Sequence, residues 1–341
     1  MFQRLPIVPP KGSLCFFKRN MNTIQKLIFN NVPLQNGVVQ SKVILSYQLF
    51  GQAIGSAPLV VVNHALTGNS QVIGENGWWQ SLIGDDKIID TKKYAVLAFN
   101  IPGNGYQDAE NLIENYQDFT TYDIANLFWK GIDSFKVNQV FAVIGGSLGG
   151  AIAWEMAAIR PKAIANLIPV ATNWKASDWL IGNVLIQDLI LNNSKNPIHD
   201  ARIHAMLLYR TPESLQEKFQ TKLQNSEGLF QVESWLLHHG EKLQNRFQLS
   251  AYKLMNHLLK TTDIFKNKNQ AEVIKSITSN IHLISVDTDY FFTANEIKTA
   301  FLEVKNYKNN AFYHEIKSIH GHDAFLIEFE QLNNILKPIF N

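Results

Sequence analysis

A single cysteine, Cys15, in 341 residues leaves no partner for an intrachain disulfide and no multi-cysteine metal site. A reducing compartment suits such a chain, and the cytoplasm is the expected location. Excess charge is equally scarce. Lys+Arg 31 against Asp+Glu 29 gives a formal net charge of +2, too small and too evenly spread to imply a nucleic-acid partner. Glycine (19) and proline (11) are too few for a collagen-like or low-complexity chain. With 46% hydrophobic and 18% charged residues, the chain can bury a core, which excludes disorder.

Long hydrophobic runs are also missing. The most apolar stretch, 142–159, is just long enough to test as a membrane span. It contains Ser147, Glu155 and the glycines 145, 146, 149 and 150, which fit a buried strand, a turn and a helix better. No membrane association is expected. The first twenty residues carry Arg4, Lys11, Lys18 and Arg19 among scattered prolines and lack the apolar run of a secretory signal. A more ordinary sequence opens at Met21, so the expectation is a start there or a loose tail before it.

What is present is a rhythm. Residues 38–50 tend to alternate apolar and polar, as in a half-buried strand. Short apolar runs follow at 59–62, 94–99, 140–144, 167–170 and 281–286. Several end on turn residues: Asn63-His64, Asn100, Gly145-Gly146 and Asp287. Continuous apolar runs of this length suit strands buried on both faces of a mostly parallel sheet. Helical patterns at 121–135 and 148–159 lie between them, which makes the class α/β. From about 174 to 279 the strand runs stop. Helical segments take over at 179–192, 200–208, 212–224, 230–244 and 250–262, and Thr211-Pro212-Glu213 has the form of a helix start. This stretch reads as an inserted helical domain, after which strands resume at 281 and 312–319 and a last helix begins near 323.

The strongest chemical signal is Gly145-Gly146-Ser147-Leu148-Gly149-Gly150. It fits G-x-S-x-G between a strand and a helix, the context of a nucleophile elbow. A serine in so sharp a turn projects its hydroxyl, and the flanking glycines let backbone pass closely. A Walker A phosphate loop would need Gly-Lys-Ser/Thr, and no lysine is present. A serine nucleophile needs a base, and the base needs an orienting carboxylate. In this arrangement the chain order is Ser, Asp/Glu, His. Asp287 and Asp289 follow the strand at 281–286, and His320 and His322 follow the strand near 312–319. Spacing alone does not choose within either pair. The oxyanion should be met by the N–H of Leu148 and by one from the loop Asn63-His64-Ala65-Leu66-Thr67-Gly68. His64 has no second ligand at a metal-site spacing, and no metal is expected.

Taken together, several segments closely resemble homoserine O-acetyltransferases of the α/β-hydrolase superfamily. They are His64-Ala65-Leu66-Thr67-Gly68, Gly77-Trp78-Trp79, the elbow with its preceding Val143-Ile144, the stretch 201–209, Phe230-Gln231-Val232-Glu233-Ser234 with Gly240, and Gly321-His322-Asp323-Ala324-Phe325-Leu326. The resemblance runs from about 37 to 335. It implies an α/β-hydrolase core at 37–173 and 280–341, a helical lid at 174–279 and an N-terminal extension at 1–36. It favours Asp289, within Asp289-Tyr290-Phe291-Phe292, and His322, within Gly-His-Asp, as partners of Ser147. It places Leu66 with Leu148 at the oxyanion, and Arg202, Tyr209 and Asp323 on the substrate amino acid. It further implies acetyl-CoA as co-substrate with no bound cofactor, small-molecule partners, and a homodimer through the lid. One departure stands out. The family's longer glycine-rich segment after the strand at 94–99 is here Asn100-Ile101-Pro102-Gly103-Asn104-Gly105-Tyr106 followed by a polar, acidic stretch. The alternatives on the same frame are an esterase, the same transfer with another acyl group or with serine, and a non-catalytic binding protein.

Overall fold

The short apolar runs become strands of one eight-stranded sheet. The computed structural model describes residues 23–107, 111–224 and 228–340. Cys15, Met21 and the expectation of a start or loose tail there lie outside the described residues. In chain order the strands are β1 (Gln25–Pro33), β2 (Val39–Gly51), β3 (Leu59–Asn63), a small pair β4 (Ile83–Gly84) and β5 (Ile89–Asp90), then β6 (Ala95–Phe99), β7 (Val140–Gly146), β8 (Ile164–Val170), β9 (Asn280–Val286) and β10 (Ala311–Ile316). The main sheet runs β1-β2-β6-β3-β7-β8-β9-β10. β2 is antiparallel to β1 and β6, and every other pair is parallel.

Helices cover both faces. They are α1 (Thr121–Ser134), α2 (Leu148–Ile159), α3 (Asp178–Asn193), α4 (Pro197–Tyr209), α5 (Pro212–Phe219), α6 (Gln231–Gln244), α7 (Leu249–Thr261), α8 (Gln270–Ser276), α9 (Ala294–Lys305) and α10 (Phe329–Phe340). The twofold period of a strand divides its side chains between two cores. Leu59 and Val61 of β3 join Phe128 of α1 and Ile152 of α2, whereas Val60 and Val62 join Trp79 and Leu332 of α10. Each such burial is worth about 1.5–3 kcal/mol. Six helices, α3 to α8, fill the chain between β8 and β9. Leu180 of α3 and Leu258 of α7 belong to the same apolar cluster as α1 and α2, so the insertion packs onto the body rather than standing apart.

Several elements differ from expectation. The sheet begins at β1, ahead of the boundary at residue 37. Its edge position leaves Ile28 57% exposed, and its apolar run, Leu27-Ile28-Phe29, is short and does not alternate. The helix expected over 212–224 ends at Phe219, because Gln220 and Thr221 turn into the left-handed region at φ 52° and 57°. α8, only seven residues long, and α9 were not anticipated, and the last helix opens at Phe329, after a short turn of 3-10 helix at Gly321–Leu326, rather than near 323. Among the described residues, no helix is long and apolar enough to cross a membrane.

α2 is buried almost all round, and Glu155 is buried with it. The Thr121 hydroxyl donates to its carboxyl at 3.1 Å. Burial is the larger effect and pushes that carboxyl from 4.5 up to about 7. Below the lower value both folded and unfolded chains hold the proton, so there is no cost. Above the higher value the folded state carries the full cost of the buried charge. Glu155→Gln removes this titration. The mutant-minus-wild-type difference in unfolding free energy, from urea melts at about pH 5 and about pH 8, should therefore grow by roughly 2–3 kcal/mol in the mutant's favour. An unchanged difference would show that the carboxyl titrates normally.

Candidate active site

The parallel strands end along one edge of the sheet, where ligands of open α/β folds bind. Ser147 sits between β7 and α2 with φ 55° and ψ −124°. Its N–H continues the sheet by donating to the Val170 carbonyl at 2.9 Å. Two glycines make the turn possible. A Cβ on Gly145 would lie 2.4 Å from the Gly149 carbonyl carbon, and one on Gly149 would lie 2.3 Å from the Asn63 oxygen.

Asp289 and His322 come from the loops after β9 and β10. The Asp289 carboxylate accepts the backbone N–H groups of Phe291 (2.7 Å) and Phe292 (3.0 Å) on Oδ1. Its Oδ2 lies 2.7 Å from Nδ1 of His322. An ionised carboxylate only accepts, so Nδ1 carries the hydrogen and Nε2 offers its lone pair to the Ser147 hydroxyl, 2.9 Å away. All three side chains are buried. Phe292 stacks on the imidazole, while Phe291 and Phe325 meet it edge-on.

The two neighbours left open by spacing point elsewhere. Asp287 accepts the Ser318 N–H at 3.0 Å and pairs with Lys317 at 3.6 Å. His320 meets Ser214 and Arg210 of the inserted region.

Leu148 opens α2, and Leu66 lies in the loop after β3. Among the described residues, neither backbone N–H has a carbonyl partner. His64 holds the Leu66 loop. Its Nδ1 bonds the Ala65 carbonyl at 2.8 Å, and its Nε2 accepts the Ile101 N–H at 2.9 Å. Burial lowers its pKa to about 4, so it stays neutral with both ring nitrogens engaged. Ile101 belongs to the shortened segment after β6. Among the described residues, that segment lines none of the Ser147 cleft but buttresses the loop that does. Asn104 adds a bond to Asn100 at 3.2 Å.

The cleft is lined by Leu66, Thr67, Ser147, Arg202, Tyr209 and Asp323, with Phe325 at its wall. Arg202 and Tyr209 both lie on α4, with the guanidinium 5.8 Å from the phenol ring centre. Burial raises the Tyr209 phenol to about 12, which keeps it a hydrogen-bond donor. Burial also pushes the Asp323 carboxyl up, opposed by Arg202, His322 and Arg210. Among the described residues, Arg202 has no carboxylate within 4.0 Å, and the only cation that close to Asp323 is Arg210, at 4.0 Å. Two residues escaped the sequence reading. Arg246 donates to the Thr67 carbonyl at 3.1 Å, and Arg210 stands beside Asp323. Neither lies in a motif with its partner, and only the folded chain brings them together.

Comparison with known proteins agrees with this geometry. A family described as the alpha/beta hydrolase fold matches residues 58–253. The homoserine O-acetyltransferase of Cyclobacterium marinum is 34% identical over 333 residues, covering 91% of this chain and 92% of that protein. The crystal structure of homoserine O-acetyltransferase from Bacillus anthracis superposes with a TM-score of 0.81 at 17% identity, covering 94% of this chain and 97% of the other. Esterase E22 gives 0.80 at 15% identity, covering 94% and 100%, a likeness of fold alone. Identity of 34% along nine-tenths of both chains carries more than shared fold: the chain is an enzyme of the homoserine O-acetyltransferase family, built as an α/β hydrolase.

Proposed function

We propose that this enzyme moves an acetyl group from acetyl-CoA to the hydroxyl of L-homoserine through an acyl-serine intermediate, as a soluble cytoplasmic enzyme of amino-acid biosynthesis. The observation that carries the acceptor is a pair of opposite charges in one cleft. Among the described residues, Arg202 has no carboxylate partner there, and Asp323 has only a distant cation. Free ions beside a serine–histidine pair suit a zwitterion, with its carboxylate on the guanidinium and its ammonium on Asp323. The related homoserine O-acetyltransferase suggests the acetyl group and homoserine.

In the first half-reaction His322 Nε2 takes the Ser147 proton as Oγ attacks the thioester carbonyl. The N–H groups of Leu66 and Leu148 meet the oxyanion. The C–S bond breaks, and the proton passes from His322 to the leaving thiolate. In the second, Nε2 takes the homoserine hydroxyl proton, the new alkoxide attacks the acyl-serine, and the proton returns to Ser147 as the O-acetyl ester leaves. Asp289 remains ionised and favours the imidazolium at each stage.

Ser147→Ala should fold normally and lose several orders of magnitude in turnover. Mass spectrometry of the wild type given acetyl-CoA alone should find one acetyl adduct, on Ser147. An adduct elsewhere discards the mechanism. Asp289→Asn should slow acylation by ~10⁴, whereas Asp287→Asn should barely change it. Adding L-homoserine should accelerate CoA release, and fast ester hydrolysis indifferent to amino acids would favour an esterase.

Arg202→Lys keeps the charge but loses the planar fork. It should weaken homoserine use by ~1–3 kcal/mol and leave the donor half-reaction nearly untouched. Equal loss in both halves would remove Arg202 from acceptor binding.

A homodimer through the inserted helices fits the face of α3, where Leu185, Ile186 and Leu189 are exposed together with Trp179. A contiguous apolar stripe of this kind marks an interface. Light scattering should give twice the chain mass for the wild type and the single mass for Leu185→Glu/Leu189→Glu. A monomeric wild type removes the dimer.

A further inference from the structure

The guanidinium nearest Asp323 is restrained by groups that take no part in the serine chemistry. Arg210 follows α4, and its side chain is 12% exposed. Its Nε and Nη2 donate to Ser214 Oγ at 3.1 and 2.6 Å, and Nη2 also donates to Nδ1 of His320 at 3.1 Å. A guanidinium has only donors, so His320 accepts through Nδ1 and carries its hydrogen on Nε2. Ser214 Oγ lies 2.9 Å from that same nitrogen. The anchor is rigid at both ends. The Ser214 N–H donates to Thr211 Oγ1 at 3.0 Å, and the Thr211 hydroxyl donates to the Ile319 carbonyl. A Cβ on Gly321 would lie 3.0 Å from the Tyr209 carbonyl oxygen, so the end of α4 rests against the loop that carries His322. Held this way, Nη1 of Arg210 stops 4.0 Å from Asp323 Oδ2. That is too far for a hydrogen bond and close enough for charge attraction.

We propose that Arg210 is a positioning residue for the amino-acid acceptor: Ser214 and His320 hold its guanidinium back from Asp323, so that it keeps the carboxylate ionised without occupying it. The acceptor's ammonium then takes the free carboxylate oxygens. A guanidinium in direct contact would have to be displaced, because a fork-on-carboxylate pair is among the stronger ones. Without Arg210, Arg202 and His322 would still oppose protonation, but the half-buried carboxylate would bind a proton more readily and hold an ammonium less well. The charged and titratable groups around Asp323 are Arg202 and Tyr209 of α4, Arg210 after it, His322 beside it and Asp289 after β9. The proposal rests on the reading that Asp323 holds the acceptor ammonium.

The test uses L-2-aminobutyrate, an amino acid of the acceptor's length with no hydroxyl to acylate. Its binding to the full-length enzyme is measured by calorimetry across pH, and acylation of Ser147 is followed separately as the p-nitrophenolate burst from p-nitrophenyl acetate. Asp323→Asn should weaken binding at least about tenfold. Arg210→Gln should weaken it about tenfold and move the acid limb of binding to higher pH, since one cation fewer opposes protonation of Asp323. Arg210→Lys should return the limb towards its wild-type position. His320→Ala frees the guanidinium to close on Asp323, so binding should weaken without an upward move of the limb. His320→Asn, whose amide oxygen can replace Nδ1 as acceptor, should restore it. No binding by the wild type, or intact binding in Asp323→Asn, overturns the acceptor reading and this proposal with it. If Asp323→Asn weakens binding but Arg210→Gln changes neither affinity nor limb, the reading stands and the proposal falls. A burst lost in parallel with binding in the Arg210 and His320 variants also overturns it, because Arg210 would then serve structure alone.

Discussion

The site depends on one unfavourable backbone conformation. Ser147 is held at φ 55°, a region that costs a non-glycine residue of order 1 kcal/mol or more. The surrounding bonds over-determine it. Its N–H donates to Val170, and its carbonyl accepts the first free amides of α2, from Gly150 and Ala151. The strain puts the hydroxyl at the sheet edge and also brings Gly149 against the Asn63 and His64 carbonyls. That contact is why the Leu66 loop lies over the serine. The proposed oxyanion groups and the proposed nucleophile are therefore consequences of the same turn. His64, neutral and bonded at both nitrogens, fastens the loop from behind.

Burial then sets the electrical character of the cleft. Asp289, 3% exposed, is satisfied by two backbone amides and an imidazole. Asp323, one residue past His322, has no comparable amides and leans on nearby cations instead. Two carboxylates flank one histidine, yet only Asp289 is spent on orienting it. In the proposed reading, the oxygens of Asp323 receive the acceptor's ammonium. Glu155, on the same helix as the nucleophile, belongs to neither group. Its burial costs stability, and its bond to Thr121 ties α2 to α1 away from the cleft.

The elbow was legible because its constraints are local: a turn that tight needs small residues two before and two after the serine. The strands β3, β6 and β7 were legible because burial on both faces leaves an unbroken apolar run. β1 was not, since its apolar run of Leu27-Ile28-Phe29 is short, does not alternate and is followed by Asn30-Asn31. The choice between Asp287 and Asp289 could not be made from spacing, because both follow β9. What separates them is a turn in which Asp287 bonds across to Ser318 while Asp289 folds back onto Phe291 and Phe292. His320 was plausible as a base for the same reason, and its real partners lie over a hundred residues away in sequence. The altered segment after β6 supports His64 through the Ile101 N–H, and no periodicity encodes that tertiary contact.

The balance between transfer and hydrolysis follows from the same geometry. An acyl-serine of the proposed kind faces water at roughly 55 M and an amino acid at far lower concentration, so a closed cleft alone would not secure transfer. A hydroxyl held in line with the acyl carbon behaves as though present at ~10⁵–10⁸ M. That advantage exists only while the acceptor is held at both charges, which requires Arg202 and Asp323 to be free and ionised together. Two opposite charges sharing a small buried cleft would ordinarily neutralise each other. Here Arg202 projects from α4 while Asp323 sits on the loop after β10, and among the described residues they form no ion pair. The separation between α4 and the His322 loop, fixed by the contacts of Thr211, Ser214 and Gly321, is thus what leaves both charges available to an amino acid rather than to each other.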